Sequence, residues 1–172
     1  VILIIIMYKI CVVAINIRSA HNVGSIFRTA DGFSSSVALV GITPRPYGDL
    51  EDDRLPHIIK KANDLIHKTA LGAEETVEWQ YFSSHNSAFA TLKKDGYKIV
   101  ALEQDSQSIS LDNLVINQNI ALVVGPEVSG LEDSVLRECD QITEILMTGK
   151  KESFNVSVAT GIALYRIRQS NS

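Results

Sequence analysis

The chain has little of what would build a covalent or metal-held scaffold. Only two cysteines occur in 172 residues, Cys11 and Cys139, far apart and in no C-x-x-C pair. That excludes a disulfide framework and a cysteine zinc site, and makes a reducing cytoplasm the expected compartment. Of the four histidines, at 21, 57, 67 and 85, none is paired with Cys, Asp or Glu at metal-ligand spacing, so turn or surface roles and no metal are expected. Linkers rich in Pro, Gly or Ser, low-complexity tracts and internal repeats are also missing. With 45% apolar and 21% charged residues, the sequence reads as one globular domain over 1–172, too short for a second.

Long apolar runs and an excess of positive charge are absent too. Val1 to Ile6 opens apolar, but Lys9 ends the run well short of the roughly 18 residues that a membrane span needs. No basic start or small-residue cleavage site marks a signal peptide, and Met7 is a candidate initiator. Sixteen Lys and Arg against twenty Asp and Glu give a net charge of −4, which argues against broad electrostatic capture of nucleic acid. Any such contact must use a local patch, drawn from Arg18, Arg28, Arg45, Arg54, Lys60, Lys61 and Lys68 or from Lys150 and Lys151.

What is present alternates. Short runs rich in Val and Ile recur at Ile10 to Ile15, Val37 to Ile42, Val77 to Phe82, Lys98 to Leu102, Ile120 to Val124 and Ile142 to Met147. Their continuous apolar character predicts six strands buried on both faces. Between them lie amphipathic stretches: Val23, Ile26, Phe27 and Ala30; Ile58, Ile59, Ala62, Leu65 and Ile66; Ala88 and Leu92; Leu131, Val135 and Leu136. Ser84 and Ser129 are candidate helix caps, and a last helix is predicted from about Val156 to Arg168. The expected fold class is α/β, a six-stranded, mostly parallel sheet with helices on both faces. Sites in such sheets lie beyond the C-terminal strand ends, where Asn22, Leu102, Gly125 and Met147 fall.

Three segments concentrate polar groups at such junctions. Gly125-Pro126-Glu127-Val128-Ser129-Gly130 has the outline of a phosphate loop, but Leu131-Glu132 replaces the Lys and Ser/Thr that would reach phosphate and magnesium. No G-x-G-x-x-G follows any strand, and Ser153 has no histidine nearby to serve as base, so ATPase, dinucleotide and serine-hydrolase chemistry are not supported. Taken singly, each remaining signal has a bland alternative. The Gly125/Gly130 pair suits a plain tight turn, Arg28 suits an arginine with its stem along the core edge, and Glu127 suits a carboxylate at a helix N-terminus.

Taken together, the segments resemble the SpoU/TrmH family of the SPOUT superfamily, the RNA 2'-O-ribose methyltransferases. Asn22, Gly24 and Arg28 match its Asn-x-Gly-x-x-x-Arg motif, with Asn16 and Arg18 similar to the lead-in. Gly125, Glu127 and Gly130 match Gly-x-Glu-x-x-Gly. Ser153, Asn155, Val156, Ser157, Val158 and Ala159 match Ser-Leu-Asn-Val-Ser-Val-Ala, with Phe154 in place of the Leu. The motifs come in family order and span nearly the whole chain. In one departure, Ile145-Leu146-Met147 stands where many relatives carry Ile-Pro-Met, which removes a stiffening proline.

The resemblance implies a C-terminal trefoil knot and a homodimer completing its active site across a two-fold interface; many relatives carry an extra N-terminal RNA-binding domain, and this chain is expected to have no separate one. It implies S-adenosylmethionine as cofactor, held by loops around Leu102, Gly125, Ile145, Met147 and Phe154, with apolar walls from Tyr97 to Leu102. The substrate implied is an RNA ribose 2'-hydroxyl. Arg28 would clamp phosphate and stabilise the developing alkoxide, because a guanidinium is effectively always charged and makes a poor base. Asn22, Glu127, Ser153 and Asn155 would orient the arginine and the ribose. The acidic charge and lack of an RNA-binding extension favour a compact RNA such as tRNA over rRNA. Two alternatives stay open: a non-catalytic knotted RNA-binding or assembly protein, and a methyltransferase acting on a base or on protein.

Overall fold

The computed structural model describes residues 8–47 and 52–169; the apolar start and Met7 lie outside them. The elements run β1 (Ile10–Ile15), α1 (Ala20–Gly32), β2 (Ser36–Val40), α2 (Pro56–Ala70), α3 (Ala73–Thr76), β3 (Trp79–Phe82), α4 (His85–Lys94), β4 (Tyr97–Leu102), β5 (Ile109–Ser110), β6 (Asn119–Val124), α5 (Asp133–Leu136), β7 (Gln141–Glu144) and α6 (Val156–Gln169). Among the described residues no helix is long and apolar enough to cross a membrane.

All strand pairings are parallel, in the order β3-β2-β1-β6-β4-β7-β5. The sheet has seven strands rather than the six expected. The additional one, β5, is only two residues long, too short to carry a periodicity of its own.

Every residue of β1 is buried, and period-2 geometry sends its side chains to opposite faces. Ile10, Val12 and Ala14 join Val23, Ile26 and Phe27 of α1, Ile66 of α2 and Ala163, Leu164 and Ile167 of α6. Cys11, Val13 and Ile15 instead join Ala88, Phe89 and Leu92 of α4 and Val135 and Leu136 of α5. A continuous apolar strand therefore serves two cores, with helices covering both faces, as the sequence predicts.

Local signals set the helix starts. Ser19 accepts a hydrogen bond from the Asn22 amide at 3.2 Å and opens α1, and Ser84 accepts from Ser87 at 3.3 Å to open α4. Ser129 caps nothing: α5 starts only at Asp133, after Gly130 has turned into the left-handed region at φ +66°. Gly24 explains the first motif's glycine structurally. A β-carbon there would collide with the Ile66 carbonyl and the Thr69 hydroxyl, so the close packing of α1 on α2 needs the missing side chain. The predicted apolar face of α2 holds only toward its C-terminus, where Ile66 is fully buried while Ile58 is exposed.

Candidate active site

Because β4, β6 and β7 are adjacent and parallel, the loops leaving their C-terminal ends converge at one rim of the sheet. They enclose a cleft of about 320 Å³, within the range that receives small molecules. Leu102, Gly125, Ile145, Met147 and Phe154 all line it, as do Glu127 and Ser153. The expected wall from Tyr97 to Leu102 shrinks to Leu102 alone. Tyr97 begins β4 and borders a different pocket with Cys11, Ser36 and Trp79. Leu146, in the position of the missing proline, is 63% exposed, while Ile145 and Met147 on either side line the cleft. The substitution therefore leaves the inward alternation intact.

Beside the cleft, three motif residues from three distant segments form a chain of side-chain hydrogen bonds. Asn155 Nδ2 donates to Asn22 Oδ1 at 3.2 Å, and Asn22 Nδ2 donates to Glu127 Oε1. Asn155 is anchored in turn, its Oδ1 accepting from the Ser157 amide at 2.9 Å and the Ser157 hydroxyl at 2.7 Å, which makes it the cap of α6. Each amide spends its oxygen on one neighbour and its nitrogen on the next. The Glu127 carboxylate, an acceptor only, ends the chain facing the cleft.

Arg28 is not part of this cluster. It sits six residues beyond Asn22 on α1, about 9 Å along the axis, exposed and without a hydrogen bond or ion pair among the described residues. Ser153 borders the cleft but, among the described residues, is not hydrogen-bonded to Asn22, Glu127 or Asn155. Three candidates for a basic patch are otherwise engaged, Lys60 with Asp64 at 2.5 Å. Arg45 and Arg54 both pair with Asp52, at 3.1 and 2.6 Å, and Arg45 also covers the Tyr81 ring at 3.7 Å. The Asp52 side chain is 5% exposed, and its hydrogen bonds from Arg54 hold the carboxyl well below the usual carboxylate range. Arg54 also donates to the Arg45 and Pro46 carbonyls, tying residues just before α2 to residues 45 and 46.

Among the histidines, His67 lies in the last turn of α2 rather than in a loop, its Nδ1 bonding Glu74, whose other oxygen accepts from the Gly72 amide at 3.1 Å. Burial pushes the Cys11 thiol up to about 11 and that of Cys139 up to about 12, as befits inert cysteines. Sequence reasoning missed Glu103 and Gln104, which follow β4 and line the cleft. Their position just past a strand end is the one signal that could have marked them.

Residues 54–165 match the SpoU rRNA Methylase family. The chain is 36% identical over 121 residues to a tRNA (guanosine(18)-2'-O)-methyltransferase of Borreliella burgdorferi, covering 67% of this chain and 56% of the relative. It is 30% identical over 156 residues to a 23S rRNA (guanosine-2'-O-)-methyltransferase of Nitrosomonas europaea, covering 91% of this chain and 54% of that protein. The chain thus spans about half the length of these curated relatives. In fold it resembles the A. aeolicus TrmH/SpoU tRNA modifying enzyme (TM-score 0.75, 23% identity, 95% of this chain and 76% of that one). It also resembles an AdoMet-bound rRNA methyltransferase from Sinorhizobium meliloti (TM-score 0.76, 21% identity, 94% and 56%). On the match over residues 54–165, together with the motif side chains assembled at the cleft, the chain belongs to the SpoU rRNA methylase family.

Proposed function

We propose that this protein transfers the methyl group of S-adenosylmethionine to a ribose 2'-hydroxyl of RNA. The observation that carries this reading is the Asn155-Asn22-Glu127 chain ending at the rim of the cleft. S-adenosylmethionine, when bound, would supply an electrophilic methyl group; its transfer to the ribose 2'-oxygen would release the hydroxyl proton to solvent and the rest of the cofactor as a neutral thioether. In-line displacement rewards positioning. The apolar walls Leu102, Ile145, Met147 and Phe154 would hold the cofactor, with backbone groups of the loop starting at Gly125 contacting its polar edges. Asn22, Glu127, Ser153 and Asn155 would orient the ribose, and Arg28 would clamp phosphate and stabilise the developing alkoxide.

The distance of Arg28 from the cluster supports a homodimer in which a second copy supplies it. Val158, Ile162 and Tyr165 of α6 form an exposed apolar face with Thr29, the neighbour of Arg28. Closing that face against a second copy around a two-fold axis would bring two arginines to the seam. The trefoil knot belongs to the same reading. It is supported by β7 inserting between the earlier strands β4 and β5 before α6 packs on the α1 side of the sheet. We favour tRNA as substrate, on the 36% identity to a tRNA enzyme and the net charge of −4, and the cytoplasm as compartment, on the two free cysteines.

Titration calorimetry with S-adenosylmethionine tests the cofactor half of the proposal and separates it from a non-catalytic RNA-binding role. Binding to metal-free protein, weakened by Gly125→Val, is expected; failure of folded wild-type protein to bind would remove the enzyme reading.

A further inference from the structure

Two loops contribute to the lining of the cleft, residues 125–131 after β6 and residues 145–155 after β7, and neither is held in place by helix or strand. Both are tied to one dipeptide. Glu103 Oε2 accepts a hydrogen bond from the Leu131 amide at 2.8 Å, while its Oε1 accepts from the Gln104 amide at 3.0 Å. Gln104 Nε2 donates to the Glu152 carbonyl at 2.6 Å. The base of this arrangement is rigid, because the Glu103 amide donates to the Thr143 carbonyl of β7 at 2.9 Å. Position 130 is built around it as well: a β-carbon at Gly130 would fall 2.7 Å from Glu103 Oε2.

We propose that Glu103 and Gln104 are a pair of positioning residues that set the spacing of the two cofactor loops, Glu103 as acceptor for the first and Gln104 as donor to the second. The proposal rests on the cleft being the S-adenosylmethionine site. Its physical content is the opposite polarity of the two tethers. A carboxylate can accept from two backbone amides, whereas an amide nitrogen is needed to donate to a carbonyl. Glutamine at 103 keeps an acceptor oxygen for Leu131, but glutamate at 104 has nothing to donate and turns a carboxylate toward a carbonyl. The tethers also differ in strength. Glu103 is half-buried and charged, while Gln104 is exposed and neutral, so loss of the first matters more.

The experiment compares wild-type protein with Glu103→Ala, Glu103→Gln, Gln104→Ala and Gln104→Glu. Three readouts are S-adenosylmethionine affinity by calorimetry, thermal unfolding, and hydrogen exchange of the Leu131 amide by NMR without cofactor. Glu103→Ala is expected to weaken binding by about ten- to a hundred-fold and to speed Leu131 exchange, with Glu103→Gln recovering part of both. Gln104→Glu is expected to be at least as weak as Gln104→Ala, by about three- to ten-fold against wild type, with Leu131 exchange unchanged. Wild-type affinity and exchange in Glu103→Ala, or full function in Gln104→Glu, would overturn the proposal. If Glu103→Ala does not fold, Glu103→Met decides, since it keeps the length of the side chain but has no oxygen to accept from Leu131: unchanged Leu131 exchange together with unchanged affinity refutes the tether. Wild-type protein that binds no cofactor would instead refute the cofactor site, while the exchange data still judge the tether.

Discussion

Replacing Arg28 by alanine should separate chemistry from folding. The side chain is exposed on α1 and has no partner among the described residues, and alanine is the better helix former. Stability should therefore stay within about 0.5 kcal/mol of wild type, as for surface substitutions that touch nothing. The residue before it gives the contrast. Phe27 is fully buried, edge-on to Trp79 with ring centroids 6.4 Å apart, and its truncation should cost roughly 3–5 kcal/mol. If Arg28 stabilises charge on the reacting oxygen, its loss should cost about 2.7–4 kcal/mol of barrier, or roughly 100- to 1000-fold in rate. Cofactor affinity should hardly change, since Arg28 does not line the cleft. Arg28→Lys should fail as well, because an ammonium cannot reproduce the planar fork at a phosphate. Single-turnover transfer to RNA, measured alongside S-adenosylmethionine affinity and thermal unfolding, reads all three quantities. Near-normal transfer by the alanine variant would refute the assignment and leave Arg28 as a helix-surface arginine.

Asn22→Asp should lower transfer on the order of 100-fold and more than Asn22→Ala, because a carboxylate cannot donate to Glu127 and repels it; comparing the two rates at saturating cofactor checks this. For the proposed homodimer, light scattering should find wild-type protein dimeric and Ile162→Glu monomeric, with transfer abolished and unfolding cooperativity unchanged; a monomeric wild type that transfers methyl groups would refute the dimer, and a variant that stays dimeric would refute this interface. The His67 imidazole is held above its ordinary value, first by its hydrogen bond with Glu74 and then by that carboxylate's charge. With the folded value raised, its contribution to stability is fully present below the unfolded value near about 6.5 and is lost as pH rises through the folded value. An NMR titration of His67 should show the raised midpoint, and Glu74→Gln should abolish both the shift and that part of the pH dependence.

The sheet was legible where sequence and burial agree strand by strand. β1 reads as an unbroken apolar run because both its faces are covered, and α1 announces itself through the spacing of Val23, Ile26, Phe27 and Ala30, although its cap, Ser19, was not recognised. The residues that meet at the cleft were found through motif order, since no local rule links Asn22 to Glu127 or Asn155 across more than 100 positions. What stayed hidden depends on partners rather than on pattern. Arg45 and Arg54 look like free cations until Asp52 folds against them. Glu103 looks like a surface carboxylate until Leu131, 28 residues later, presents its amide. Ser129 resembles a cap, yet the turn at Gly130 delays α5.

The central claim is the transfer of a methyl group to a ribose oxygen. The most direct measurement incubates the protein with methyl-labelled S-adenosylmethionine and separate pools of unmodified tRNA and rRNA, digests the RNA to nucleosides and identifies the labelled product by mass spectrometry. The account predicts label in a 2'-O-methylnucleoside from the tRNA pool, abolished when the target nucleotide is 2'-deoxy. Label on a base, or none in either pool with protein that binds the cofactor, would contradict it.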